Sequence, residues 1–431
     1  DNRMIAPYLL SATEAIKKIQ ANELSSEELI RSCIERIEEK ESITHAWVSS
    51  NFSAAIERAR YLDRSANLGL LHGIPFGAKD LFDTHDFPTT YGSPIYANNR
   101  PLTDAVHIAL MRQAGGVLLG KTVTTEFATF KGGATTNPVN PEHTPGGSSS
   151  GSAAAVADAM VPLTTGSQTA GSIIRPAAFC GVIGYKPTFG KISLGGSKSL
   201  SPSLDTLGCF SRTVEDAALC TAAMTGDWAL AHMKPIDTTI KTAICLTSDG
   251  HLASKETLNA INQAGALINK IFRTSYQLYD LPQLFNDMSE RHARIMSFEA
   301  TKSFTFEQNN FSEQLSQQLK GLIKLGNAIT YEQYAKDLAI THQARHELDR
   351  ILNQELDILI TPSAIDEAPK GLTQTGDPIF CRVWTLMGLP CITLPLYSGP
   401  NDLPIGVQLV AGRGRDALLL SVAQKIMQHQ K

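Results

Sequence analysis

No run in this 431-residue chain approaches the roughly 18 to 20 apolar residues that a transmembrane helix needs, which excludes membrane-spanning helices. Blocks of basic residues are missing too. With a net charge of −4, the chain offers no electrostatic footprint for nucleic acid. Cysteine is scarce: seven residues, scattered singly, an odd total with no C-x-x-C. That pattern suits reduced, buried thiols in a reducing compartment better than a disulfide frame. No fixed-period repeat is visible, and no long linker divides the chain. It opens on Asp1 rather than Met, so the true start is expected to be missing or processed. No signal-peptide pattern follows, and cytoplasm is the default expectation. What is present is 42% apolar and 19% charged, enough for a substantial core in two or three ordinary domains or one large α/β domain.

The N-terminal part, about 1–66, predicts helices. In "SSEELIRSCIERIEEK", Ser25 is placed to cap and Glu28 follows three residues on, ahead of apolar Leu29, Ile30, Cys33, Ile34 and Ile37 at helical spacing. A second helix is expected near Ala54 to Tyr61. "LLHGIPFGAKDLFD" predicts a short strand turning through Gly77 into Lys79, and "DAVHIALMRQAG" a helix leading into the strand "GVLLG". After a Gly/Ser/Pro-rich stretch, "SAAAVADAM" predicts a helix and "VPLTTG" a strand. The segment of about 237–353 is richer in Gln, Asn, Lys and Glu and is expected to be mainly helical. "LDILITPSA" and "LPCITLPL" then return as strands to the same sheet. This alternation predicts an α/β fold: one large domain over 1–431 with a central mixed sheet covered by helices on both faces.

Three patterns invite a false reading. "GGVLLGKT" (Gly115 to Thr122) satisfies the phosphate-loop pattern, but a helix precedes Gly115 and Val117-Leu118-Leu119 is strand core rather than loop. The β-branched "TVTTEF" that follows is also a poor helix start. "GSSSG" fits a nucleophile elbow centred on Ser149, yet the proline-rich "TTNPVNPEHTPG" upstream argues against the strand that an elbow needs and leaves a Ser-His-Asp enzyme built on Ser149 as a runner-up. His342 and His346 have zinc-pair spacing, but H-E-x-x-H is absent and no third ligand is near, so a solvated helix face is expected. No metal and no cofactor are predicted.

One segment resists a bland reading: "PGGSSSGSAAAVADAMVPLTTGSQTAGSIIRPAAFCGVIGYKPTFG". A flexible linker should not be followed at once by a tight helix, a strand and a second glycine turn. Small residues through Ala153 to Ala159 imply close backbone approach, which sites with converging amides require. The strip, its 24-residue step from Ser148 to Ser172, and upstream "GIPFGAKD" together resemble the amidase signature family of Ser-Ser-Lys amide hydrolases. "SLDTLG" (Ser203 to Gly208), "RTVEDAA" (Arg212 to Ala218) and "LPCITLPL…LPIGVQLVAG" extend the likeness. It covers about Leu70 to Cys220 and about Asp357 to the end, with a catalytic core expected over about 67–220.

The resemblance implies that Ser172 is the nucleophile, Ser148 the bridging serine and Lys79 the base, with a cis peptide before Ser148. A serine hydroxyl needs a neighbouring base, and lysine serves only when neutral. Apolar neighbours in "IPFGAKDLF" favour that state; Asp80 would oppose it if it faced Lys79. Thr169, Ala170, Gly171 and Ser172 are assigned to the oxyanion hole through their backbone N–H groups. Arg175 and Ser149 are the candidate substrate-binding residues, Arg175 either binding a substrate carboxylate or bracing the turn. The chain departs from the family pattern at Gln168, where an acid is usual, and at Ala170 and Ser150, where glycine is usual. "FCRVWTLMG" (Phe380 to Gly388) is a further candidate for the pocket, with Trp384 equally well a core residue. The implied reaction is hydrolysis of a small carboxamide or ureido substrate through an acyl-enzyme. Two alternatives stay open: the glutamine-hydrolysing component of a tRNA-dependent amidotransferase, which works with a partner, and an inactive scaffold of the same fold. A homodimer is compatible with the sequence, which fixes no oligomeric state.

Overall fold

Ser25 accepts from Glu28 N while the Glu28 carboxylate accepts from Ser25 N, the reciprocal cap expected from the sequence. It opens the second of fourteen α-helices among the described residues, which are 4–67 and 69–431 of this computed structural model. The helices are α1 Ala12–Gln20, α2 Ser26–Thr44, α3 Phe52–Asp63, α4 Val106–Gln113, α5 Ser150–Ala157, α6 Ile174–Cys180 and α7 Val214–Thr225. They continue with α8 Lys255–Phe272, α9 Met288–Ser303, α10 Thr305–Phe311, α11 Gln317–Asn327, α12 Tyr331–Gln354, α13 Ile379–Met387 and α14 Asp416–His429.

The strands are β1 Trp47–Ser50, β2 Pro75–Lys79, β3 Val117–Thr122, β4 Leu163–Gln168, β5 Ile183–Lys186 and β6 Thr206–Ser211. β7 Thr242–Ile244, β8 Tyr276–Leu278, β9 Ile358–Pro362, β10 Cys391–Ser398 and β11 Pro404–Val410 complete them. All eleven form one mixed sheet in the order β1-β3-β2-β4-β6-β5-β10-β11-β9-β7-β8. Every residue of β2, β3, β4, β5, β6 and β9 is buried. Successive strand residues face opposite sides, so both faces of the sheet are covered there.

The segment 237–353 is mainly helical, but it also supplies β7 and β8, which extend the sheet beyond β9 through parallel pairing. These are three-residue strands, too short to carry a period-2 signal. The phosphate-loop pattern is a helix–strand junction: α4 ends at Gln113, and Lys121 and Thr122 lie fully buried in β3. His342 and His346 are exposed on α12. All seven cysteines are free and buried. Trp384 is fully buried in the core. Among the described residues no helix is long and apolar enough to cross a membrane.

The "RTVEDAA" motif is architectural. Arg212 donates to the carbonyls of Val156, Val161, Tyr8 and Leu10, while Asp216 accepts from Ala12 N and Thr13 N at the start of α1. Together they tie the N-terminal helices to the glycine-rich region.

Candidate active site

Lys79 ends β2, and β4 runs parallel beside it with Ala78 opposite Thr165. Both strands therefore leave the sheet at the same end, where ligands of α/β sheets commonly bind. The register sets Lys79 Nζ 2.7 Å from Ser167 Oγ, 2.9 Å from Ser149 Oγ and 2.7 Å from Ser148 Oγ. Burial pushes Lys79 well below the usual lysine range, opposed by the Asp205 charge. Asp80, a possible counter-charge, turns away: its carboxylate lies 3.2 Å from Lys121 and accepts from Thr90. A neutral amine has two N–H donors and one lone pair. Ser149 donates its own proton to Ser167 O at 3.2 Å, so its oxygen accepts from Lys79. Ser148, Ser149 and Ser167 thus surround the amine, and in its neutral form the lone pair is open to a hydroxyl proton from this group.

Ser149 is fully buried beside the lysine and is not among the residues lining the cavity at Ser172. The Gly147–Ser148 peptide is cis. The preceding glycines and Gly151 of α5 allow the chain to pass close to its neighbours. Gly146 has φ +85° and a Cβ there would meet Pro176 Cα at 2.8 Å; at Gly151 it would meet Ala46 O at 2.2 Å. Ser150 donates to Gly146 O at 2.8 Å and closes the same turn.

Ser172 sits between β4 and α6, 8% exposed, on the wall of a narrow cavity of about 10 Å³. Ala170, Gly171, Arg175, Leu200, Met296 and Leu322 are among its neighbours there. Among the described residues the Ser172 hydroxyl has no hydrogen-bond partner. Contacts of this kind commonly tighten only in the complex with substrate. A much larger cavity of about 1100 Å³, lined by Ile16, Leu70, Leu219 and Trp228, contains none of the catalytic candidates. Size alone does not locate the chemistry.

Gln168 performs a task that the usual acid could not. Its Oε1 accepts from Ile173 N and Ile174 N at 3.0 Å each, and its Nε2 donates to Thr385 Oγ1 at 2.9 Å. A carboxylate could accept the first two but could not donate the third. Ala170 has no positive φ, so its methyl group is unstrained in the turn. Arg175 divides its guanidinium. Nε donates to Thr375 O at 2.7 Å and Nη2 to Gly147 O at 3.0 Å, bracing the strip. Nη1 is buried without a partner at the cavity that holds Ser172. Burial pushes the group down to about 10, so it stays charged near neutrality.

Several neighbours were not legible in the sequence. Asp205 accepts from Thr169 Oγ1 at 2.6 Å and from Leu200 and Ser201 N, and burial pushes it up to about 6. Thr385 donates to Ala170 O at 2.8 Å. The divergent segment closes over the site: Glu299 accepts from Ser201 and Ser203, and Glu126 accepts from Ser316 N at the start of α11. Asp205 lies in "SLDTLG" and Thr385 in "FCRVWTLMG", both conspicuous stretches; the others had no local signal.

A family model described as "Amidase" matches residues 28–420. The chain is 30% identical over 468 aligned residues to a glutamyl-tRNA(Gln) amidotransferase subunit of Gloeothece citriformis, covering 96% of each. A solved structure described as an amidase superposes with a TM-score of 0.88 at 26% identity, covering 97% of this chain and 100% of that one. The corresponding glutamyl-tRNA(Gln) amidotransferase subunit of Thermotoga maritima superposes with a TM-score of 0.81 at 27% identity, covering 97% and 94%.

Proposed function

The chain belongs to the amidase family, and from that premise we propose that it hydrolyses a carboxamide through an acyl-enzyme on Ser172. The observation that carries this reading is the buried Lys79 Nζ 2.7 Å from Ser148 Oγ, at the sheet end where Ser172 also lies. Ser172 Oγ attacks the amide carbon as its proton passes to Ser148, which passes its own to Lys79 Nζ. The N–H groups of Thr169, Ala170, Gly171 and Ser172 receive the oxyanion. The relay then runs backwards, the C–N bond breaks, and ammonia leaves with the proton. Water, activated by the same pair, cleaves the ester and releases a carboxylic acid. The unpartnered Nη1 of Arg175 favours substrates that carry a carboxylate near the amide.

Glutamine is one such substrate, and the curated relatives favour a second reading over a free-standing amidase. In it the chain releases ammonia from glutamine for a partner that holds a charged tRNA; the Gloeothece citriformis relative is a subunit of a glutamyl-tRNA(Gln) amidotransferase. Both readings share Ser172 and the same first half-reaction. Ammonia release from paired neutral and carboxylate-bearing amides, glutamine included, separates them. A free-standing hydrolase turns over a small amide alone. A coupled component is selective for glutamine and accelerates with its partners. Equal release by wild type and Ser172→Ala contradicts both.

A further inference from the structure

Two side chains from outside the glycine-rich strip hold the carbonyls of the oxyanion turn. His292 Nε2 lies 2.8 Å from Thr169 O, and Thr385 Oγ1 lies 2.8 Å from Ala170 O. Both peptides are trans. In a trans peptide the carbonyl and the next N–H point in opposite directions. Fixing Thr169 O therefore fixes the direction of Ala170 N–H, and fixing Ala170 O fixes that of Gly171 N–H.

The His292 contact is directional because of Arg382. The ring is fully buried on α9, and its Nδ1 lies 2.9 Å from Arg382 Nη1. A guanidinium has only donors, so Nδ1 must accept. The ring proton then sits on Nε2, where it donates to Thr169 O. Burial, with the Arg382 charge, pushes the imidazole down to about 3, so the ring stays neutral near pH 7. Ordinary hydrogen-bonding freedom would leave two tautomers; this arrangement leaves one.

We propose that His292, locked in one tautomer by Arg382, is a positioning residue that aims the Ala170 N–H at the oxyanion. The proposal rests on the acyl-enzyme reading. It gives the divergent segment a share in the rate of the reaction as well as in the shape of the pocket: α9 supplies both His292 and the cavity residue Met296. Nothing in the spacing of "RHARIMSFEA" announces this, since the partner carbonyl is 123 residues away.

The test is the rate at which an alkyl fluorophosphonate labels Ser172, read by mass. The Oγ–P bond forms, the P–F bond breaks, fluoride departs and the serine proton leaves through Ser148 and Lys79. The phosphoryl oxygen occupies the oxyanion position, so the rate reports the hole. Wild type is expected to label and Ser172→Ala not to. His292→Leu is expected to slow labelling roughly 10- to 100-fold. His292→Gln, which keeps an N–H donor, should stay within about 3-fold of wild type. For a substrate that is turned over, kcat should fall in His292→Leu while KM changes less than about 2-fold. Labelling of His292→Leu at the wild-type rate overturns the proposal, as does a His292→Gln variant as slow as the leucine one. If the leucine variant does not fold, Arg382→Leu carries the test. Freed of its tautomer lock, it should label about 3- to 10-fold more slowly, and a wild-type rate overturns the proposal. Failure of folded wild type to label at Ser172 overturns the nucleophile itself, and the proposal with it.

Discussion

Replacing Thr385 with valine keeps the shape of the side chain and removes one hydroxyl. That residue is 1% exposed and its hydroxyl serves two partners: it donates to Ala170 O and accepts from Gln168 Nε2. Valine leaves both without a partner in a site closed to solvent. An unsatisfied buried polar group costs about 1–3 kcal/mol. The two belong to one network and do not add fully, so the expected loss is about 2–4 kcal/mol. The kinetic effect is separate. Losing an oxyanion donor outright costs about 10²–10³ in kcat; here the Gly171 N–H is released to swing rather than lost, so a fall of about 10-fold, or about 1.4 kcal/mol, is expected. Urea unfolding gives the first quantity and ammonia release the second. Thr385→Ser keeps the hydroxyl and should recover most of both. A valine variant as stable and as fast as wild type would refute the reasoning, because the Ala170 carbonyl would then have to be held by something else. A serine variant no better than valine would show that the methyl group mattered instead.

Four further outcomes are expected. The kcat/KM profile should rise with pH along a limb set by Lys79 losing its proton, with its midpoint well below the usual lysine value; a limb near 10 contradicts a neutral base. Asp205→Asn removes the negative charge that favours the protonated lysine, so this limb should move to lower pH, which a pH–rate series checks directly. Lys121→Met leaves the buried Asp80 carboxylate without its cation and should cost about 3–5 kcal/mol, whereas Lys121→Met with Asp80→Leu should cost less, both read by denaturant titration. Met296→Ala enlarges the cavity beside Ser172, so relative kcat/KM for an amide with one further methylene should rise about 10- to 200-fold, measured by competition between the two substrates.

The fold is most legible in the sequence where the signal is local. Ser25 and Glu28 announce a helix start within four residues, and the Val117-Leu118-Leu119 core marks a strand despite its phosphate-loop pattern. The glycine–serine strip is legible because tight backbone approach permits few residue types; at Gly151 any side chain would strike Ala46 O and Val123 N. β7 and β8 escape notice because three residues show no periodicity and depend on β9 for their pairing. The partners of the oxyanion turn escape for a different reason. His292, Thr385 and Asp205 reach Thr169 and Ala170 from 123, 215 and 36 residues away, so only folding reveals what they hold. Ser149, a candidate for substrate contact, meets Lys79, which lies 70 residues away in the sequence. Arg175 braces the strip with two nitrogens, and its third lies buried without a partner, contacts that the sequence does not announce.

The central claim is an ester on Ser172, and mass spectrometry of protein quenched during turnover tests it most directly. With an amide that wild type hydrolyses, peptides containing Ser172 should carry the mass of the acyl group. The adduct should disappear when substrate is exhausted and be absent from Ser172→Ala, which should release no ammonia. Turnover with no adduct at any substrate concentration, together with ammonia release by Ser172→Ala, would contradict the account.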